Sequence, residues 1–191
     1  MQITSGAGPA RSRLGVRRRV LPAIALVALA FAGCGGDSKK DDKAAAAAKA
    51  KATAAAAFKT GAKAATTETT RIGNDLGTAI QGADKQTDAA LAATFTSLAS
   101  RARGVVGDLN ALQTPLQSRA EVTALVGALT TGAQDLDAIA TAARANDASS
   151  ARSATVTLVK DSPAIKAAKD ALDAELKTTG TGTTTTASTT S

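Results

Sequence analysis

Histidine, tryptophan and tyrosine do not occur in this 191-residue chain, and cysteine occurs once. Without histidine the chain has neither the commonest metal ligand nor the commonest general base. Zinc sites, Ser-His-Asp or Cys-His catalysis and haem attachment through a C-x-x-C-H motif cannot be built from it. A lone cysteine also excludes a disulfide within the chain. Three phenylalanines are the only aromatic residues, and much of the 44% apolar fraction is alanine, which buries little area per residue. Leucine, isoleucine and valine must therefore supply the core, which is expected to be thin, with closely approaching elements.

The net charge of +7 points toward polyanions only until its placement is read. Five arginines, Arg11, Arg13, Arg17, Arg18 and Arg19, precede the one long apolar run, and from Cys34 onward 18 basic side chains face 16 acidic ones. Between residues 59 and 177 the two signs balance at 13 each. The basic character belongs to the N-terminus, so no nucleic-acid partner is expected.

Residues 20–32 (VLPAIALVALAFA) are almost wholly apolar, and Gly33, Cys34, Gly35, Gly36 and Asp37 follow. An arginine-bearing segment, a short apolar run and a small-residue zone are the three parts of a secretory signal. Thirteen apolar residues fall short of the roughly 20 that a spanning helix needs. The segment is expected to be removed, so residues 1–33 read as a signal peptide.

The tetrad Phe31-Ala32-Gly33-Cys34 resembles the lipobox of bacterial lipoproteins, with Phe31 where leucine is commonest. The resemblance implies cleavage between Gly33 and Cys34 and a diacylglyceryl thioether on Cys34, with membrane lipid as the first partner. Two or more acyl chains anchor a protein stably where one does not. Residues 16–21 (VRRRVL) also resemble a twin-arginine export signal, although arginines are common in any such leader and general secretion is the simpler expectation.

After the cysteine, residues 34–58 read as a lipidated tether: glycine and mixed charge first, then alanine broken by lysine. Its first part is too polar to pack, and residues 43–58 have helix propensity without a packing face. At the other end, residues 178–191 hold only Thr, Gly, Ala and Ser and read as a disordered tail.

Between them, residues 59–177 carry helical periodicity throughout. The clearest seam is Leu91, Phe95, Leu98, Ala102, Val105, Leu109 and Leu112, with Asp84 or Thr87 as its cap. An earlier helix carries Ala65, Thr69, Ile72, Leu76, Ile80 and Ala83, weakened at Gly73, Gly77 and Gly82. Pro115 ends the Leu91 helix, and Thr114, Pro115 and Gln117 fit a capping box for the next. That helix carries Leu116, Val122, Val126, Leu129, Ala133, Leu136, Ile139 or Ala140, and Ala143, and closes at Asn146 in a left-handed conformation. Asp147 caps the last helix, with Ala151, Ala154, Leu158, Ser162, Ile165, Ala168, Leu172 and Leu176 on its seam. Pro163 implies either a kink there or a new segment capped by Ser162. Gly104 and Gly107 mark either a close helix contact or a weak point. Four amphipathic segments on short connections predict an all-α, antiparallel up-and-down four-helix bundle. Signal and outline together resemble the small, Ala-rich helical lipoproteins of high-GC Gram-positive bacteria.

The internal charges offer no paired acid and base: Asp135 and Asp137 sit on different faces of one helix. They read, with Asp108, Arg101 and Arg103, as solvated faces, as do Lys166, Lys169 and Lys177 with Asp170, Asp173 and Glu175. Asp161-Ser162-Pro163 reads as a cap. The expectation is therefore a non-catalytic interaction or structural module on the extracytoplasmic face of a cell membrane. It would need no metal or cofactor, and its second partner would be another envelope protein. The alternative is a lipoprotein that holds a small apolar molecule between its helices, for which an enclosed cavity of about 300 Å³ or more would speak, whereas a closed seam would favour the first reading.

Overall fold

The structure, a computed structural model, describes residues 39–178. The signal segment 1–33, its cleavage point at Gly33 and Cys34, and the tail beyond residue 178 lie outside the described residues. Four helices, α1 (Lys39–Gln81), α2 (Asp88–Ala111), α3 (Arg119–Arg144) and α4 (Ala148–Thr178), are joined by two short 3₁₀ turns and a tight bend. No strand occurs among the described residues. Cross-helix contacts pair rising residue numbers with falling ones. Gly61 lies at Leu112 while Asp75 reaches Arg101, and Thr96 meets Arg144 while Arg103 meets Asp137. This is the pairing of neighbours that run in opposite directions.

One core fills the bundle: Phe58, Ala62, Ala65 and Ile72 from α1, Phe95, Leu98, Ala102, Val105 and Leu109 from α2, Leu125, Leu129, Leu136 and Ile139 from α3, and Leu158, Leu172 and Leu176 from α4. The α2 seam agrees with its sequence reading, except that Leu91 and Leu112 are only half-buried at its ends.

Helix α1 is longer than its sequence suggested. It runs unbroken for 43 residues, through what reads as tether, and Phe58 is 4% exposed in the core. Alanine sustains the helix where nothing packs on it, and residues 43–57 are exposed save for half-buried Ala54. Its threonines, all but Thr60, donate their hydroxyls into the helix itself. Thr69 Oγ1 bonds the Ala65 carbonyl at 2.9 Å and Thr66 Oγ1 that of Lys63 at 3.2 Å, so both sit buried without an orphaned donor. Thr178, at the other end, is the last helical residue and not the first of a tail.

Helix ends divide by how local their signals are. Thr87 caps α2 by accepting from the Ala90 amide at 3.3 Å. Asn146 has φ 53°. Around it the Asp147 amide bonds the Ala142 carbonyl and the Asn146 amide that of Ala143, at 3.0 and 3.1 Å, a Schellman closure. Asp147 then caps α4, accepting from the Ser149 and Ser150 amides at 3.1 and 3.0 Å. These bonds and the Ser150 hydroxyl hold its carboxyl below the usual carboxylate range.

The expected capping box at Thr114 does not form. Pro115 is extended at ψ 150°, residues 116–118 make a 3₁₀ turn, and α3 begins only at Arg119. The Thr114 hydroxyl points back to the Leu112 carbonyl at 3.5 Å. Leu116, placed on the seam by its chemistry, is 76% exposed, and Leu125 fills the core instead at 0%. Neither a new segment nor a cap occurs at Pro163: α4 continues through it, and Ser162 Oγ donates to the Leu158 carbonyl at 2.7 Å.

Close helix approach also falls elsewhere than expected. A Cβ on Gly61 would stand 2.5 Å from Leu112 Cδ2, and one on Gly132 would stand 2.7 Å from Ile165 Cδ1. Gly104 and Gly107 face open space and are weak points only. Gly104→Ala is therefore expected to stabilise the domain by about 0.5–1 kcal/mol through helix propensity and unfolded-chain entropy. A raised urea midpoint at unchanged slope would show it.

Candidate functional site

The bundle's seams are not equally closed. Helices α2, α3 and α4 pack along their lengths, whereas α1 meets α4 over a shorter stretch, and two hollows open along that line. The inner one is a cleft of about 330 Å³ between Thr69, Ile72, Gly73 and Leu76 of α1 and Leu158, Ser162, Ile165, Lys166 and Lys169 of α4. Ala102, Leu129, Gly132 and Leu136 form its floor. The outer one, about 490 Å³, lies where the α1 and α2 turn meets the α3 and α4 bend, between Ile80, Leu91, Phe95, Ile139 and Val156. Ile80 and Val156 are 39% and 69% exposed.

The cleft arises from small side chains. Gly73 lines it with open space where a side chain would begin, and Gly132 lets Ile165 lean into α3. Apart from the rim Lys residues and Asn74, the walls are aliphatic or hydroxyl-bearing. Every lining hydroxyl is spent: Thr69 on Ala65, Thr70 on Thr66 and Ser162 on Leu158.

Charges lie around the seams rather than in a reacting cluster. Arg101 joins α2 to α1 through Glu68 at 2.7 Å and Asp75 at 2.5 Å. Asp75 first and Glu68 second strengthen its hold on its proton. Arg103 pairs with Asp137 across α2 and α3. Arg101 thus finds its partners outside the group in which the sequence placed it with Asp108, Asp135 and Asp137, whereas Arg103 pairs within that group. On α4, Lys166 bonds Asp170 at 2.5 Å, and Lys169 bonds Asp170 at 2.8 Å and Asp173 at 2.9 Å. Lys166 and then Lys169 lower the Asp170 carboxyl to about 2. Asp161, Ser162 and Pro163 lie inside the helix, so they offer no helix terminus to an anion.

Asp135, like Glu121 on the same helix, stands outside these pairs. Its Oδ2 is buried without a hydrogen-bond partner, and desolvation first, then the charge of Asp161 on α4, raise its pKa. A raised folded-state value means that the ionised form opposes folding. The cost is complete above that value and disappears as pH falls through it. Asp135→Asn is accordingly expected to raise Tm at pH 7 by about 1–3 °C, and the gap to the parent should close as the pH approaches 4. Calorimetric scans at several pH values would check both the sign and the window.

Among the described residues, no group of three or more His, Cys, Asp and Glu side chains is placed to hold a metal. No described helix is long and apolar enough to cross a membrane. Cys34 and Gly33, the site residues named from sequence, lie outside the described residues. The cleft was not legible, because its walls come from helices far apart in sequence. Gly73 and Gly132 were its only local signal. No protein-family model matches the chain, and no curated protein or solved structure is similar to it.

Proposed function

We propose that this chain is a lipoprotein held on the extracytoplasmic face of a cell membrane by acylated Cys34. In this reading it serves there as a non-catalytic interaction module of the cell envelope, with another envelope protein as its second partner. The observation that carries the reading is Phe31-Ala32-Gly33-Cys34 at the end of a thirteen-residue apolar run behind five arginines, with the chain's sole cysteine at that point. Helix α1 supports it, since it begins five residues after Cys34 and continues to the far end of the bundle. Residues 39–57, as helix, form a spacer about 28 Å long, in keeping with the helix propensity of their alanines.

A second reading, a lipoprotein that binds a small apolar molecule, is favoured by the cleft between α1 and α4. Its 330 Å³ lies at the lower end of the range of small-molecule sites, about 300–1,000 Å³.

Cys34→Ala tests the anchor. With a fatty-acid analogue supplied to the cells, the parent protein should carry the label and sediment with membranes. The variant should lose all label and remain uncut before residue 34 or be released by another peptidase, with its helical domain unchanged, since the core residues of the described bundle lie from Phe58 onward. Label retained by the alanine variant, or an unlabelled parent with its first 33 residues intact, would overturn the reading.

A further inference from the structure

We infer that the cleft between α1 and α4 binds one single-chain amphiphile of the fatty-acid class, its chain along the aliphatic floor and its carboxylate at Lys166 and Lys169. The inference deepens the second functional reading and does not depend on the lipid at Cys34. Three features of the cleft select this chemistry.

The first is the wall. Ile72, Leu76, Leu129, Leu136, Leu158 and Ile165 present branched aliphatic groups and no ring, so an aromatic ligand finds nothing on which to stack. The second is the absence of free donors along it. Thr69, Thr70 and Ser162 all commit their hydroxyl hydrogens to carbonyls one turn back in their own helices. A polar ligand body would lose its water here without replacement, at a cost that an alkyl chain escapes.

The third is where donors do remain. An ammonium has three N–H groups. Lys166 uses one on Asp170, and Lys169 uses two, on Asp170 and Asp173. Both lysines line the cleft and keep N–H groups beyond those given to Asp170 and Asp173, whose carboxylates offset their charge, and Asn74 adds an exposed amide on the α1 rim. The Lys169 side chain is only 19% exposed, so a carboxylate there would be partly withdrawn from water, where a charge-assisted bond is stronger. At about 330 Å³ the space suits one chain rather than two.

The test supplies cells expressing the full chain with a fatty acid that bears a photoactivated group and an alkyne. Label on Cys34 needs no light, whereas label in the cleft requires it, and peptide mass spectrometry separates the two. In the parent, light-dependent adducts should fall on peptides containing Ile72, Leu76 or Ile165 and carry the mass of one free chain. Gly73→Leu, which sets a side chain at the cleft and improves helix propensity, should reduce these adducts at least tenfold. Gly104→Leu, with the same propensity gain away from the cleft, should leave them unchanged. Replacing Lys166 and Lys169 together by glutamine should lower them several-fold.

No light-dependent adduct in the cleft, adducts indifferent to Gly73→Leu, or adducts with the mass of a diacyl lipid would overturn the site. Adducts indifferent to the double lysine change would overturn the carboxylate position. Loss of label at Cys34 alone, with cleft adducts intact, would instead overturn the anchor and leave the cleft standing.

Discussion

Phe58→Ala is expected to lower the unfolding free energy by about 3–5 kcal/mol, the usual cost of emptying a buried phenylalanine site. The ring is 4% exposed and belongs to the core with Ala62 and Ala65. Only one other phenylalanine, Phe95, lies among the described residues. In a core built otherwise from leucine, isoleucine, valine and alanine, few neighbours are large enough to collapse into the gap. Thermal melting followed by circular dichroism should show Tm falling by more than about 10 °C. Lys59→Ala, exposed on the next position, should stay within about 0.5 kcal/mol of the parent. A loss below about 1 kcal/mol for Phe58→Ala would mean that the core starts later in the chain, at the boundary that composition alone suggests.

That boundary shows how composition and packing diverge. Residues 43–58 read as spacer because alanine and lysine dominate them, and for residues 43–57 the exposure agrees. Phe58 closes the same low-complexity run, yet stands one turn before Ala62, which is 0% exposed. A single large residue at helical spacing from a seam outweighs the polar stretch before it, since burial follows spacing and volume rather than local averages.

Three signals that act within four or five residues were legible, while the equally local caps read at Thr114 and Ser162 do not form. Thr87, Asn146 and Asp147 each complete a hydrogen bond or a backbone turn with immediate neighbours, so residue type and position sufficed to place them. Pro163 was legible as a constraint but not as an outcome. The α4 helix stays unbroken because its surroundings hold it, with Leu158 and Leu172 buried on either side at 1% and 0%. What could not be read is the rotation and spacing of α1 against α4. The close fit of Gly132 against Ile165 brings α3 and α4 together, and the cleft opens beside it where α1 and α4 face one another.

The α3 seam provides the sharpest contrast between apolar chemistry and position. Leu125→Ala is expected to cost about 2–5 kcal/mol, while Leu116→Ala, nine residues earlier, should change stability by no more than about 0.5 kcal/mol. Both are leucines, but Leu116 stands six residues before Val122, a spacing that no helical face repeats. It also lies in the 3₁₀ turn that Pro115 introduces. Leu125 follows Val122 by three residues and precedes Leu129 by four, at the centre of the α3 stripe, and it is wholly buried. Emptying its site removes contacts in a bundle whose many alanines cannot extend to refill the space. Urea unfolding of the two variants against the parent decides the point through the midpoints, with slopes compared to confirm that each still unfolds in one step. Equal losses at the two positions, or a larger loss at Leu116, would mean that α3 starts near Pro115 and turns a different face to the core.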